Sequence, residues 1–417
     1  MNTDLPPDSR RVLVVAPGYI RTGGRDDGQV FWNPESGHEI RLGKALAELA
    51  ARFAMPSSVD VVVAAIPGAA RESARNAVTA LEEAGLLVGY RTAAAAAPTP
   101  SPASTGTGLF GAPVLDAPTA LTGNTTDVVV IGMPYDVGST HRPGSRFAPD
   151  ELRQTSTALF QYRCDADGRP RGLHDPLRGR AVLDGVRIAD LANISQPVHT
   201  RNGDSLEGLH RLARSAFQAG RFVLTLGGDH SISLPLITAA LDVHGRVGVL
   251  HVDAHSDFAT PRTDDWRRDC HHGNFMSWVV GDTRLGVLAQ FGIRQLTEYE
   301  IERPEHVRVW PGRTAVLTDP DTVLADLPMD IPYYLTVDAD GLDPSALPDT
   351  GTPLPGGFGH AELVALLEHL AAHRRLIGMD FVELIPGDRE TSTLTAADLI
   401  LRVLDAATAP RRNGREL

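Results

Sequence analysis

The chain is short of several things, and each shortage closes off a class of protein. Its 417 residues include only two cysteines, Cys164 and Cys270, too few for a disulfide framework and in keeping with a reducing compartment. Basic residues are outnumbered, 39 Lys and Arg against 52 Asp and Glu. A net charge of −13 with no basic run argues against nucleic acid as a partner. No apolar run reaches the roughly 18 residues that span a bilayer, so no membrane partner is expected. The opening stretch MNTDLPPDSRR sets acids and prolines where a signal peptide would carry an apolar core. The expectation is a cytoplasmic globular protein, with 42% hydrophobic and 22% charged residues, ordinary values for that class.

What is present falls into three stretches. Residues 1–94 read as a small α/β appendage. Short strands are expected at Val12–Ala16 and Val59–Val63. Leu42, Ala45, Leu46, Leu49 and Phe53 recur at helical spacing between them, and a second helix is expected over Glu72–Ala84, closed by Gly85. Residues 95–125, rich in Ala, Pro, Ser and Thr, read as a linker. Residues 126–410 alternate strand and helix. Strands are expected at Asp127–Gly132, Phe222–Leu226, Val247–Leu250, Tyr333–Val337 and Leu376–Phe381. The helices fall around Leu206–Phe217, Leu236–Ala240, Ala361–Ala372 and Ala396–Ala406. The pattern predicts an α/β fold with a doubly wound, mostly parallel sheet in a three-layer αβα arrangement.

Three of these strands run directly into metal-ligating residues. Phe222–Leu226 leads to Gly227-Gly228-Asp229-His230-Ser231, and Val247–Leu250 leads to His251-Val252-Asp253-Ala254-His255-Ser256-Asp257. Tyr333–Val337 leads to Asp338-Ala339-Asp340-Gly341-Leu342-Asp343-Pro344. Open α/β sheets place their sites at the carboxyl ends of strands. Alternation along an extended segment would point Asp253, His255 and Asp257 the same way. His230, Asp253, His255, Asp257, Asp338 and Asp340 together offer four carboxylates and two imidazoles, more than one zinc needs. The set suits two manganese-type ions, which accept carboxylate-rich ligation. Two such ions can share a hydroxide, lower its pKa and hold it against an electrophilic carbon.

With these motifs the chain resembles the ureohydrolase family of arginases, agmatinases and related amidinohydrolases. The resemblance runs from about Asp127 to Ala406. It includes the His230, Asp253–Asp257 and Asp338–Pro344 motifs, the continuation Gly351-Thr352-Pro353-Leu354-Pro355-Gly356-Gly357, and the entry segment Arg142–Pro149. It implies that His230, Asp253, Asp257 and Asp338 hold one manganese, and that Asp253, His255, Asp338 and Asp340 hold the other. It implies that Glu383 pairs with a substrate guanidinium, a planar group that favours a carboxylate partner. His272, with its neighbour His271 as the alternative, matches the proton-carrying histidine beside the metals. Asn274 is expected on the substrate with His272 and Glu383, and Asp257 is a second candidate proton donor.

The implied reaction is hydrolysis of a guanidino group to urea and a primary amine. The implied assembly is a trimer or hexamer. Arginases acting on the free amino acid carry an asparagine two residues after the Asp-x-His-x-Asp motif, where this chain has Ala259. The Arg- and Asp-rich loop Ala259–Cys270 follows it. Both features point away from free L-arginine, toward an arginine-containing peptide, a guanidino natural product, or a smaller guanidino compound such as agmatine or 4-guanidinobutyrate. A formimidoylglutamase and an inactive regulatory member are the alternatives; the first would release formamide, the second would lack a ligand.

Overall fold

The computed structural model describes residues 11–16, 19–23, 29–32, 38–53, 57–89, 108–194, 202–298, 303–387 and 389–412. The chain divides into two compact units, residues 1–99 and 100–417.

Eight strands of the large unit form one sheet. They are β1 (Val128–Gly132), β2 (Ile188–Asn193), β3 (Phe222–Leu226), β4 (Val247–Val252), β5 (Leu285–Phe291), β6 (Val307–Trp310), β7 (Tyr333–Asp338) and β8 (Leu376–Val382). Their order is β2-β1-β3-β8-β7-β4-β5-β6, and every pairing is parallel. The central strands are buried at every position, as a sheet covered on both faces requires, which is why they read in sequence as unbroken apolar runs.

Alternate residues serve two cores. Val128, Val130, Leu224, Leu250 and Val337 face helices α3 (His360–His373) and α4 (Thr391–Arg412). Val129, Ile131, Val223 and Val249 face α1 (Asn202–Gln218) and α2 (Ser233–His244). Among the described residues no helix is long and apolar enough to cross a membrane.

Strands β2, β5 and β6 were not anticipated. The first two carry fully buried polar residues, Asp190 and Gln290, that break an apolar pattern. The expected linker also differs. Residues 95–107 lie outside the described residues, but Leu109 and Phe110 are fully buried in the large unit's core. The Leu109 amide donates to Asp190 Oδ2 at 2.8 Å and the Phe110 amide to Ser156 Oγ at 2.8 Å. Small-residue composition masked these two apolar anchors.

The small unit holds two three-stranded antiparallel sheets. One pairs Val12–Val15 with Ser57–Ser58 and Leu87–Gly89; the other joins Ile20–Gly23, Gln29–Trp32 and Glu39–Leu42. Helices Lys44–Ala51 and Arg71–Glu83 fall where the spacing placed them, and Gly85 follows the second at φ 74°, a left-handed conformation suited to glycine. The segment Val59–Val63, read as a strand, is instead a helix, Val59–Ala64. Val59, Val62 and Val63 are buried while Val61 is 69% exposed. That spacing matches one helix face, and burial of that face outweighs the β preference of valine.

Candidate metal centre and active site

The four central strands β3, β8, β7 and β4 are adjacent and parallel, so their carboxyl ends share one rim. His230 follows β3, Glu383 follows β8, Asp338 and Asp340 close β7, and Asp253–Asp257 follow β4.

All six expected ligands converge there. His230 Nδ1 lies 3.1 Å from Asp253 Oδ2, 3.2 Å from Asp257 Oδ2 and 3.2 Å from Asp338 Oδ2. His255 Nδ1 lies 3.4 Å from Asp253 Oδ1 and 3.1 Å from Asp340 Oδ2. Asp253 therefore offers one oxygen to each group, a bridging arrangement. The convergence does not come from strand alternation. The strand ends at Val252, the chain bends at Ala254–His255, and Asp257 adopts φ 54°. Asp257 turns toward His230, while His255 turns toward Asp340.

The donor set fits divalent ions on its own chemistry. Asp253, Asp338 and Asp340 are nearly fully buried, yet none is paired with a lysine or arginine among the described residues. Arg294, whose charge is felt by Asp340 and Asp253, gives its hydrogen bonds to the carbonyls of Gly292, Asp340, Leu342, Leu354 and Pro355. Burial, then repulsion from Asp253, pushes the Asp257 carboxyl up to about 6. Burial, then Asp340 and Asp253, raises Asp338 well above the usual carboxylate range. Burial also opposes charge on Asp253, but the three imidazoles around it, His230, His251 and His255, outweigh it and hold that carboxyl well below the range. His230 Nδ1 is buried with three carboxylates around it and none aligned as a hydrogen-bond acceptor. Four ligand atoms that converge without satisfying one another are what a bound cation resolves.

Supporting groups orient these side chains. His230 Nε2 meets Thr336 Oγ1 at 2.8 Å, and that hydroxyl donates to Asp380 Oδ1 at 2.6 Å. This second rank is the usual way a ligating imidazole is held, with its outer nitrogen engaged. Asp340 Oδ1 accepts from the Ala254 amide at 3.0 Å and Oδ2 accepts from Thr352 at 2.9 Å. Asp229 accepts from the Gly138 and Ser231 amides, tying the entry loop to the His230 turn.

Glu383 stands beside the cluster, 2% exposed and at φ 61°, strained for a non-glycine residue. Its Oε1 accepts from the His230 amide at 3.0 Å and lies 3.2 Å from His272 Nδ1. Its Oε2 lies toward Gly351, close to the Ile385 side chain, whose Cδ1 would stand 3.9 Å from a Cβ at that glycine. A Cβ there would stand 3.7 Å from Oε2 and 3.3 Å from the Arg142 carbonyl oxygen. His272 Nε2 receives the Thr140 amide at 3.1 Å, so that nitrogen accepts and the ring proton sits on Nδ1, toward Glu383.

His271 is turned elsewhere: its Nδ1 accepts from the Gly273 amide at 3.2 Å. Asn274 departs from the expectation of a substrate contact. It is fully buried, its Oδ1 accepts from the His271 amide and its Nδ2 donates to the Asp269 carbonyl, both at 2.9 Å. Both ends of its amide are used to hold the loop that carries His272. Sequence reasoning also passed over His251, Thr336 and Asp380. The one available signal was that His251 lies two residues before Asp253 in a strand, and so on the same face.

A rim of buried carboxylates and imidazoles at the carboxyl ends of a parallel sheet could hold metal ions, as the sites of metal-assisted hydrolases do. The arginase family model matches residues 126–405, and the chain belongs to that family, hydrolases acting on carbon–nitrogen bonds. It is 31% identical over 289 residues to the N(1)-aminopropylagmatine ureohydrolase of Thermus thermophilus, covering 66% of this chain and 89% of that protein. It is 29% identical over 310 residues to the mitochondrial guanidino acid hydrolase of Rattus norvegicus, covering 70% and 80%. A crystal structure of a hypothetical agmatinase from Burkholderia thailandensis superposes with a TM-score of 0.62 at 27% identity, covering 74% of this chain and 91% of that one. The family region stops short of the small unit.

Proposed function

We propose that the chain is a binuclear manganese amidinohydrolase that cleaves the guanidino group of a small substrate other than free L-arginine, giving urea and a primary amine. Glu383 carries this reading. Its Oε1 is committed to protein donors, while Oε2 and the Arg142 carbonyl both lie beside Gly351. A carboxylate oxygen and a backbone carbonyl that converge beside the cluster, 3.7 and 3.3 Å from the Cβ position of a glycine, suit a flat cation with several N–H donors.

His230, Asp253, Asp257 and Asp338 would hold one ion, and Asp253, His255, Asp338 and Asp340 the other. Ions bound there supply Lewis acidity and a water acidic enough to attack at neutral pH. Glu383 orients the guanidinium so that its carbon faces the cluster. His272 or Asp257 delivers the proton to the departing nitrogen. For His272, Nδ1 faces Glu383 on the guanidinium side, and the ring would give up its Nδ1 proton only as Nε2 takes another from the Thr140 hydroxyl 2.7 Å away.

Ala259 brings no polar side chain to the mouth. Two of the three acids of the following loop are used internally: Asp265 caps the short helix Trp266–Asp269, and Asp269 accepts from the Arg262 and Thr263 amides. A small guanidino compound therefore suits the site better than a peptide. Relatives named for aminopropylagmatine and for guanidino acids leave its tail open.

The test is urea release by the manganese-loaded protein from agmatine, 4-guanidinobutyrate, an arginine peptide and free arginine. Urea from one of the first two, with kcat/KM about 100-fold or more above free arginine, is expected. That margin corresponds to about 3 kcal/mol of transition-state discrimination. Formamide release from formimidoylglutamate without urea from any guanidino compound would overturn it.

A further inference from the structure

One buried imidazole at the centre is not among the six ligands. His251, on β4, is fully buried, packed edge-on to Phe275 at 5.9 Å and 5.0 Å from the His230 ring. Its Nε2 lies 2.9 Å from Asp253 Oδ2, the oxygen that also faces His230. Proximity alone would make His251 a seventh ligand. Its other side says otherwise.

Gln290 Nε2, on the neighbouring strand β5, lies 2.9 Å from His251 Nδ1 and 3.0 Å from the Ser256 carbonyl oxygen. A carbonyl only accepts, so the amide nitrogen, not the oxygen, occupies that position. His251 Nδ1 therefore meets a donor and must accept, which leaves the ring proton on Nε2. A ligating imidazole has the reverse pattern: it gives its outer N–H to an acceptor and turns a bare nitrogen to the metal. His230, with Thr336 and Asp380 behind it, is placed in that way.

We propose that Gln290 and His251 act as a buried positioning pair: Gln290 fixes the ring so that His251 donates to Asp253 Oδ2, holding the bridging carboxylate in the orientation that binds metal. The pair is not itself ligating. The inference rests on the reading of the cluster as a metal centre, not on any substrate. Two strands joined in register, β4 and β5, bring the residues together at His251 and Gln290. Loss of such supporting partners typically costs 10- to 100-fold in metal affinity.

The experiment titrates manganese into metal-stripped full-length protein by calorimetry, for wild type, His251→Phe and Gln290→Leu. It is paired with nitrogen NMR of the wild-type histidine tautomers. His251→Phe should weaken manganese binding 10- to 100-fold, and Gln290→Leu, which leaves the imidazole in place but unfixed, should weaken it several-fold. The NMR should find His251 protonated on Nε2. Unchanged affinity in Gln290→Leu beside a large loss in His251→Phe would mark His251 as a ligand and overturn the proposal, as would unchanged affinity in both. Should either variant fail to fold, the wild-type tautomer decides, and an Nδ1–H form overturns it. Absence of urea release with these shifts intact would remove the guanidino reading alone.

Discussion

Two sets of buried charged groups in the large unit have opposite designs. At Arg153, the guanidinium donates from Nε to Asp190 Oδ2 and from Nη2 to Asp190 Oδ1, both at 2.9 Å, and from Nη1 to Asn193 Oδ1 at 2.6 Å. Asp190 also takes the amides of Leu109 and Ala192. Charge there is balanced by the protein itself, and the result is a strut. At the strand-end rim, four carboxylates meet two imidazoles with no lysine or arginine paired to them among the described residues. A buried charge without a resident partner is costly. A fold retains such a debt where something from outside settles it. The balanced set is structure, and the unbalanced one is the proposed site.

Asp253→Ala gives the largest break in this contrast. It removes the shared ligand, so metal binding should fall to background by dialysis and kcat/KM by about a thousandfold or more, with folding of the metal-free chain unharmed. Arg153→Ala should do the converse. Leaving Asp190 buried without its cation should cost about 3–5 kcal/mol in chemical denaturation, while manganese affinity of the folded fraction stays unchanged. Glu383→Gln keeps the shape beside the cluster but not the charge. It should lower kcat/KM about 10- to 100-fold, the worth of a charge-assisted hydrogen bond, with metal content intact.

The smallest effect is on pH. Asp257, raised to about 6, and Asp338, raised well above the usual carboxylate range, are protonated more readily when folded than when unfolded. Their contribution to stability is therefore full below the ordinary carboxylate range and lost as pH rises through about 6 for Asp257. The metal-free protein should melt several degrees lower at pH 7.5 than at pH 5. Manganese, which binds the deprotonated ligands, should restore it more strongly at the higher pH. A metal-free melting temperature that rises over that interval would contradict the crowding of these carboxyls.

Much of this site could be read in the sequence because parallel strands are apolar throughout and the ligands follow them at once. His230, Asp253 and Asp338 stand within four residues of strands that contain almost nothing polar. What escaped was polar material inside the strands. Asp190 and Gln290 hid β2 and β5, and with them the pairing of Gln290 to His251. Val59–Val63 misled because valine favours strands locally while the small unit's core selected one helical face. Asn274 misled because a residue beside a functional histidine can serve the loop alone. The left-handed turns at Asp257 and Glu383 have no signature in residue type, since neither position is glycine.

The most direct test of the central claim is equilibrium dialysis of the metal-stripped protein against manganese, with Asp253→Ala and Arg153→Ala alongside. Two ions per chain are expected for the wild type and for folded Arg153→Ala, and none held tightly by Asp253→Ala. A single ion in the wild type, or two retained without Asp253, would contradict a bridged pair.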